Sequence, residues 1–534
     1  MAGNWWDEAV IYEVYVRSFG DSDADGVGDL RGVIDHLDHL VSLGVDGLWL
    51  TPFYPSPMAD HGYDVSDPRD VEPLFGTLAD FDALASAAHD RGLRLVIDVV
   101  PNHSSWQHPW FRAALTAPAG SPERARYVFR PGTGPRGELP PNNWRSVFGG
   151  PAWTRVDPAG ENGGQWYLHL FAPEQPDLNW SHPDVLDDLR RTLRFWRDRG
   201  VDGFRIDVAH GLAKAAGLPD MHGDAVILEV TPDDPRFDQP GVHRIWREVR
   251  RTLDEIGAMA VGEVWVASQQ SLARYVRDDE LHLAFDFRLL LAHWDPAELR
   301  AAVVGGLAVD RRTWAVENHD RDRLSARYGG GPTGLARARA MALLLLALPG
   351  SVYLYQGQEL GLPQVEIAPE CRQDPIWERS GHRQMGRDGC RVPLPWTGTA
   401  APYGFSTPGA AAPWLPMPAG WGGLTVQTQA EQTDSTMALH RAALSARQKR
   451  LIGQEFCWLP APDGVLAFRR GEVVCVLNAG SAPVRLDHRS LGLRGRVDVL
   501  AGLASHAVGG TAIDATTLPP DAAMWLVGDG QEAS

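Results

Sequence analysis

The sequence predicts an α/β fold: a (β/α)8 (TIM) barrel with an inserted subdomain after its third strand and an all-β domain at the C-terminus. Three observations predict this architecture. Short β-branched apolar runs alternate with segments of helical periodicity along most of the chain. About eight such units favour a closed barrel over an open sheet. From about residue 456 the pattern changes to short strands separated by turns.

The first hundred residues alternate strand and helix signals. Residues 9–16 form an apolar run that predicts a strand, and apolar residues recur at helical spacing over 30–41. A second strand is predicted at 45–50 and a second helix at 81–88. The run at 93–100 is apolar on both faces, which is typical of a parallel strand covered on both sides.

The remaining chain is divided by composition. The barrel is predicted at 1–103 and 172–450, the inserted subdomain at 104–171, and a C-terminal β-sandwich at 455–534. The inserted subdomain is rich in Pro, Gly, Asn and Trp, and so is a long loop at 356–423. Long loops at the C-terminal face of a barrel usually shape a substrate site. The later barrel strands are predicted at 201–206, 259–264, 283–287, 313–316 and 352–355.

Composition and charge argue against several classes of partner. The chain has 534 residues, of which 44% are hydrophobic, so it can bury a large core. Its net charge of −18 argues against nucleic acid and anionic membranes as partners. The N-terminus lacks a signal-peptide pattern, and the longest apolar run is too short to span a bilayer. We therefore expect a cytoplasmic enzyme whose partner is a small substrate, and the oligomeric state stays open.

Four polar clusters, DVVPNH, GFRID, VGEVW and NHD, follow apolar runs in this order. They contain three carboxylates and three cationic or titratable companions: Asp207, Glu263 and Asp320 with Arg205, His103 and His319. Such a set suits cleavage of a glycosidic bond, where one carboxylate attacks the anomeric carbon and a second acid protonates the leaving oxygen. Arg205 lies two residues before Asp207, on the same face of the strand, and would keep the attacking carboxylate ionised. Glu263 ends an apolar strand, where partial burial would raise the pKa of an acid.

These motifs resemble the four signature regions of the α-amylase family of glycoside hydrolases, and the resemblance extends over nearly the whole chain. It implies that Asp207 is the nucleophile and Glu263 the general acid/base. It also implies that Asp320 grips substrate hydroxyls as the sugar ring distorts. Four further residues match positions that surround the sugar at the point of cleavage: Asp98, His103, Arg205 and His319. The family fold agrees with the organisation inferred above.

The same resemblance assigns further residues to the sugar pocket. It implies that Tyr63 stacks on the terminal sugar, and that Asp60 binds the hydroxyls of that sugar together with Arg391. An Asp–Arg pair at the far end of a pocket restricts attack to the non-reducing terminus. Phe171 is a further candidate for the pocket wall, although core packing explains it nearly as well.

The motif QPDLNW at 175–180 resembles the oligo-1,6-glucosidase branch, which contains many α-glucosidases. Val208, directly after the predicted nucleophile, also resembles that branch, where it is associated with tolerance of α-1,6 linkages. Ala209 and His210 depart from the usual pattern of the branch, as does RVPLPW at 391–396. Linkage preference therefore stays open.

An acidic loop at 21–29 predicts a structural Ca²⁺ or Mg²⁺ site. Its ligands would be the carboxylates of alternating aspartates and one backbone carbonyl: Asp21, Asp23, Asp25, Asp29 and the carbonyl of Val27. The spacing imitates the first nine positions of an EF-hand, but Gly32 stands where the bidentate Glu would be. Clustered carboxylates repel one another without a cation. A solvated acidic turn is the alternative.

Three functions remain open from the sequence. The leading one is a retaining, exo-acting α-glucosidase for short α-glucosides such as maltose, isomaltose or sucrose. The second is a transglucosidase or sugar isomerase, such as a trehalose or isomaltulose synthase, that uses the same covalent intermediate. The third is a non-catalytic ancillary subunit, which the presence of all three carboxylates disfavours.

Overall fold

A computed structural model describes residues 3–156, 164–222, 233–495, 497–502 and 515–528. Within them the strands are β1 (Val10–Val14), β2 (Gly47–Leu50), β3 (Arg94–Val99), β4 (Phe129–Pro131), β5 (Trp153–Arg155), β6 (Gln165–Leu168), β7 (Gly203–Ile206), β8 (Met259–Gly262), β9 (Leu283–Asp286), β10 (Arg312–Trp314), β11 (Ser351–Tyr355), β12 (Phe456–Trp458), β13 (Val465–Arg470), β14 (Val473–Asn478), β15 (Val484–Asp487), β16 (Val497–Ala501), β17 (Ala515–Leu518) and β18 (Ala522–Gly528).

Eight parallel strands close into a barrel in the order β1-β11-β10-β9-β8-β7-β3-β2. Side chains alternate along each strand, so one set fills the barrel interior and the other faces the helices. In β1, Ile11 belongs to an interior cluster with Trp49 and Tyr353, whereas Val10 and Tyr12 pack in the larger cluster outside. Both faces of each strand are therefore buried, which is why the strands are apolar on both faces.

The helices are α1 (Leu30–Asp35), α2 (Leu37–Leu43), α3 (Leu78–Asp90), α4 (Pro109–Thr116), α5 (Pro122–Ala125), α6 (Pro183–Asp198), α7 (Gly241–Ile256), α8 (Gln269–Tyr275), α9 (Arg288–Leu291), α10 (Pro296–Leu307), α11 (Leu324–Arg327), α12 (Gly331–Ala347), α13 (Pro375–Arg379), α14 (Val426–Ala430) and α15 (Thr436–Arg450). Local signals fix their starts. Thr77 and Asp80 form a capping box on α3, and Pro183 occupies the first turn of α6.

Two segments add to the barrel. Between β3 and β7 the chain forms a three-stranded sheet in the order β4-β6-β5. After α15, antiparallel strands form a five-stranded sheet in the order β12-β13-β14-β18-β16 and a two-stranded sheet of β15 and β17. Residues 356–423, all of them described, contain short helices and no strand.

The predicted fold class is confirmed, because the chain has a closed parallel barrel followed by C-terminal antiparallel sheets. Among the described residues, no helix is both long and apolar enough to cross a membrane.

Candidate active site

The carboxyl ends of β3, β7 and β8 bring the first three polar clusters together. Asp98 in β3 pairs in register with Arg205 in β7, and Asp207 and Glu263 each follow their strand directly. All four side chains are buried, with residue exposures of 6% or less. The candidate site therefore lies at the C-terminal mouth of the barrel, where barrel enzymes bind substrate.

Arg205 connects the carboxylates of this cluster. Its Nη1 donates to Asp98 Oδ1 at 2.9 Å and to Asp207 Oδ1 at 2.6 Å, and its Nη2 lies 3.0 Å from Glu263 Oε2. One guanidinium thus holds the predicted nucleophile and the predicted acid/base on neighbouring nitrogens. Burial raises the pKa of Asp207 well above its ordinary value; Arg205 opposes this shift, and Glu263 and Asp98 add to it.

Glu263 is fixed by two further donors. The backbone N–H of Val208 donates to Oε2 at 2.9 Å, and the indole N–H of Trp265 donates to Oε1 at 2.9 Å. Val208 has a φ of 45°, in the left-handed region that β-branched residues rarely adopt. This strained turn directs the N–H of Val208 at the carboxyl group of Glu263.

Asp320 is held by two arginines from the long loop at 356–423. Its Oδ1 accepts from Arg391 Nη2 at 2.8 Å and from Arg387 Nη1 at 3.1 Å. Burial disfavours the charged form of Asp320, yet its pKa lies well below its ordinary value because His319, Arg387 and Arg391 face it. Asp320 is therefore ionised throughout the neutral range.

The arginine that contacts Asp60 is Arg387, which corrects the predicted pair of Asp60 and Arg391. Arg387 Nη2 donates to Asp60 Oδ1 at 2.6 Å, whereas the hydrogen bonds of Arg391 go to Asp320 and to the carbonyl of His319. The physical reason is local: Asp374, the N-cap of α13, accepts from Arg387 Nε at 2.6 Å and fixes its guanidinium between Asp60 and Asp320.

Tyr63 and His319 lie side by side in the site. Their rings are stacked at 8° with centroids 5.3 Å apart, and the Tyr63 hydroxyl lies 2.7 Å from His319 Nε2. The same hydroxyl donates to Asp98 Oδ2 at 3.1 Å. Burial raises the pKa of Tyr63 well above its ordinary value, so its hydroxyl keeps its proton.

His103 and Phe171 form part of the adjoining wall. His103 Nε2 lies 3.0 Å from the carbonyl of Tyr63 and 3.1 Å from Gln175 Nε2, and Gln175 also donates to Asp60 Oδ2 at 3.0 Å. Burial lowers the pKa of His103 to about 4, so its ring is neutral. Phe171 packs against His103 and against Phe148, with ring centroids 5.1 and 5.4 Å apart. Both predicted residues therefore lie next to the cluster of Tyr63, Gln175 and Asp60.

The acidic loop brings three of its four aspartates together. One carboxylate oxygen each from Asp21, Asp23 and Asp29 lies within 4.8 Å of the others. Ca²⁺ and Mg²⁺ prefer such oxygen ligands, so the group could hold either ion. Asp25 lies outside this group, and its Oδ1 accepts from the N–H of Val27 at 2.8 Å.

Sequence reasoning missed Arg387, Asp374, Gln175 and Glu13. Arg387 stands four residues before Arg391 in GRDGCR, and the choice between two nearby arginines of one loop depends on tertiary contacts. Gln175 was part of a quoted motif but received no role. Glu13 lies within the apolar strand β1. Because an unpaired buried charge is costly, a carboxyl group in such a strand indicates that it has a partner elsewhere in the fold.

Comparisons with known proteins identify the family of this chain. The family model described as "Alpha amylase, catalytic domain" matches residues 13–455. The fold and the family match thus define a glycoside hydrolase. The chain belongs to the α-amylase family, glycoside hydrolase family 13.

Relatives with named activities cover most of the chain. It is 35% identical over 499 residues to trehalose-6-phosphate hydrolase of Escherichia coli (strain K12), covering 84% of this chain and 85% of that protein. It is 34% identical over 485 residues to oligo-1,6-glucosidase of Parageobacillus thermoglucosidasius, covering 84% of each. It is 37% identical over 508 residues to a probable α-glucosidase of Rhizobium meliloti (strain 1021), covering 89% of each.

A similar solved structure is that of the α-glucosyl transfer enzyme XgtA. The TM-score is 0.86 at 36% sequence identity, and the match covers 98% of this chain and 99% of that one.

Proposed function

We propose that this protein is a retaining, exo-acting α-glucosidase that removes glucose from the non-reducing end of short α-glucosides. The observation that carries the proposal is the contact of Asp60 with Arg387, which also donates to Asp320. In the proposal, this pair closes one end of the site. A site closed at one end admits a chain terminus and excludes the interior of a polysaccharide. The relatives named α-glucosidase and oligo-1,6-glucosidase support the substrate class.

The proposed reaction has two steps. In the first, the Asp207 carboxylate attacks the anomeric carbon while Glu263 gives its proton to the glycosidic oxygen, so the leaving sugar departs as an alcohol. In the second, Glu263 takes a proton from water, and the water oxygen attacks the same carbon and releases Asp207. Arg205 supports both steps because it contacts both carboxylates.

Transfer of glucose to a second sugar is the competing function. It uses the same glucosyl–Asp207 intermediate, with a sugar hydroxyl in place of water. The structural similarity to an enzyme named for α-glucosyl transfer favours this alternative.

Maltotriose that carries ¹³C at its reducing-end anomeric carbon tests the direction of attack. An exo-acting enzyme working from the non-reducing end releases unlabelled glucose and labelled maltose in the first turnovers. Early labelled glucose with unlabelled maltose would contradict the proposal. A transferase instead produces labelled tetrasaccharide or a rearranged sugar before free glucose accumulates.

We also propose that Asp21, Asp23 and Asp29 hold a structural Ca²⁺ or Mg²⁺. The grouping of their carboxylate oxygens supports this, and burial together with the facing Asp29 and Asp21 raises the pKa of Asp23. Such an ion would neutralise the loop that precedes α1. No step of the proposed reaction depends on it.

A further inference from the structure

Glu13 is a carboxyl group inside the barrel that the proposed reaction does not use. It lies two residues after Ile11 in β1, so its side chain points to the same interior face. It is 1% exposed, and its Oε1 lies 2.5 Å from Nδ1 of His319. Glu13 therefore lies beneath a histidine of the sugar pocket, away from solvent.

The second nitrogen of His319 faces the site. Nε2 lies 2.7 Å from the hydroxyl of Tyr63 and 3.4 Å from Oδ2 of Asp320. A neutral imidazole has one N–H and one acceptor nitrogen, so the hydrogen bond at Nδ1 determines what Nε2 offers.

The hydroxyl of Tyr63 identifies the nitrogen that carries the proton. The hydroxyl of Tyr63 donates its single proton to Asp98 Oδ2, and both oxygens of Asp98 also accept from Arg205. The oxygen of Tyr63 is then left to accept, and the donor must be an N–H at Nε2 of His319.

The remaining question is the proton between Nδ1 and Glu13. Burial lowers the pKa of His319 well below its ordinary value. Asp320 opposes this shift, and three arginines add to it: Arg391, Arg205 and Arg387. Burial also raises the pKa of Glu13 well above its ordinary value; Arg205 and a hydrogen bond from the backbone N–H of His319 oppose the shift, and Asp320 and Asp98 add to it. Both groups are therefore favoured in their neutral forms.

We propose that Glu13 is a positioning residue that donates a hydrogen bond from its protonated carboxyl group to Nδ1 of His319 and so fixes the Nε2–H tautomer. This tautomer holds Tyr63 as the donor to Asp98 and keeps an N–H beside Asp320, where hydroxyls of the sugar are expected. The effect on turnover rests on the proposed function, whereas the tautomer itself does not.

Nitrogen NMR of protein labelled with ¹⁵N-histidine tests the tautomer without any substrate. The signals of His319 are identified by their loss in His319→Ala. The expected result at pH 7 is a protonated Nε2 and an unprotonated, hydrogen-bonded Nδ1. A doubly protonated ring would mean an ion pair with ionised Glu13, and a ring protonated only at Nδ1 would mean the opposite tautomer; either result overturns the proposal.

Two variants test the effect on turnover. Glu13→Gln keeps an N–H that can donate to Nδ1, so kcat and its pH profile should stay within about three-fold of wild type. Glu13→Leu removes the donor and should lower kcat by about ten-fold or more while changing KM less, because the tautomer is no longer fixed. Equal loss in both variants, or no loss in Glu13→Leu, would contradict the proposal.

Glu359→Gln is a matched control. Glu359 follows β11 and is also buried. Its Oε1 lies 3.0 Å from Nε2 of a histidine in α2, His39. This variant should lower the melting temperature but leave kcat and its pH profile unchanged. If Glu13→Leu does not fold, the NMR signals of His319 in the wild-type protein still decide the question.

Discussion

At the scale of single residues, the guanidinium of Arg205 is outnumbered by the carboxylates that face it. Asp98, Asp207 and Glu263 all lie within hydrogen-bonding distance of it, at 2.6–3.0 Å for the shortest contact of each. Burial raises the pKa of Asp207, and repulsion from Glu263 and Asp98 adds to this shift. The proposed reaction needs an ionised Asp207 and one proton on Glu263. Crowding of the carboxylates favours one bound proton in the cluster, and Arg205 opposes the shift at Asp207.

Asp207→Asn should lower turnover of an α-glucoside by roughly 10³-fold or more, because an amide cannot form the glycosyl ester. The same variant should melt at an equal or higher temperature than wild type. The folded pKa of Asp207 is raised, so ionising it costs stability as pH rises above about 3.9, the usual value for aspartate. The difference in melting temperature should therefore be larger at pH 8 than at pH 4.

Turnover and thermal unfolding measured on one preparation separate these effects. Near-normal turnover in Asp207→Asn would remove Asp207 from the mechanism. A melting temperature that falls, with a deficit that grows toward pH 8, would contradict the account of crowded carboxylates.

At the scale of elements, a buried ion pair connects three segments that surround the site. Asp177, in the segment that carries Gln175, lies 2.8 Å from Nζ of Lys214, which follows the predicted nucleophile by seven residues. Lys214 also donates to Asn102 Oδ1 at 2.8 Å. The pair thus joins the loop after β3, the segment at 175–180 and the segment after β7.

Lys214→Met should reduce the free energy of unfolding by roughly 3–5 kcal/mol, because it leaves the buried carboxylate of Asp177 without its cationic partner. The chain offers a matched control in Lys449, its only other lysine, which lies exposed in the last turn of α15. Lys449→Met should cost less than about 1 kcal/mol. Chemical denaturation measures both values, and equal losses in the two variants would show that the buried pair contributes nothing specific.

The acidic loop is a second element that supports the site indirectly. Gly26 has a φ of 91°, and a Cβ there would lie 2.2 Å from the carbonyl of Ala412 in the long loop. The carbonyl of Gly26 also accepts from the N–H of Trp414 at 2.9 Å. The acidic loop therefore packs directly against the loop that carries Arg387 and Arg391.

Removal of divalent cations with a chelator should lower the melting temperature, and added Ca²⁺ or Mg²⁺ should restore it, because three grouped carboxylates would otherwise repel one another. Asp23→Asn reduces that repulsion and should make the melting temperature less sensitive to chelator. An identical melting curve with and without chelator would contradict the proposed ion site.

At the scale of the whole molecule, the sequence was sufficient for the fold class and for the grouping of the polar clusters. Apolar runs on two faces predict parallel strands, and parallel strands place their carboxyl ends at one mouth. The structure accordingly brings Asp207, Glu263 and Asp320 to the same mouth around Arg205, Arg387 and Arg391.

Contacts made by long loops could not be predicted in the same way. The partner of Asp60 depends on Asp374, which is 314 residues later in the chain and fixes Arg387 through α13. Glu13 and His319 are likewise 306 residues apart. No local periodicity encodes such pairs, because they arise only when the barrel closes.

The measurement that tests the central claim most directly is a proton NMR time course with maltose, isomaltose and sucrose, each supplied separately. A retaining α-glucosidase releases α-glucose first, and the β form appears later by mutarotation. We expect this order, with relative rates that give the linkage preference. Release of β-glucose first would contradict a covalent glucosyl–Asp207 intermediate, and accumulation of new disaccharides with little free glucose would identify a transferase instead.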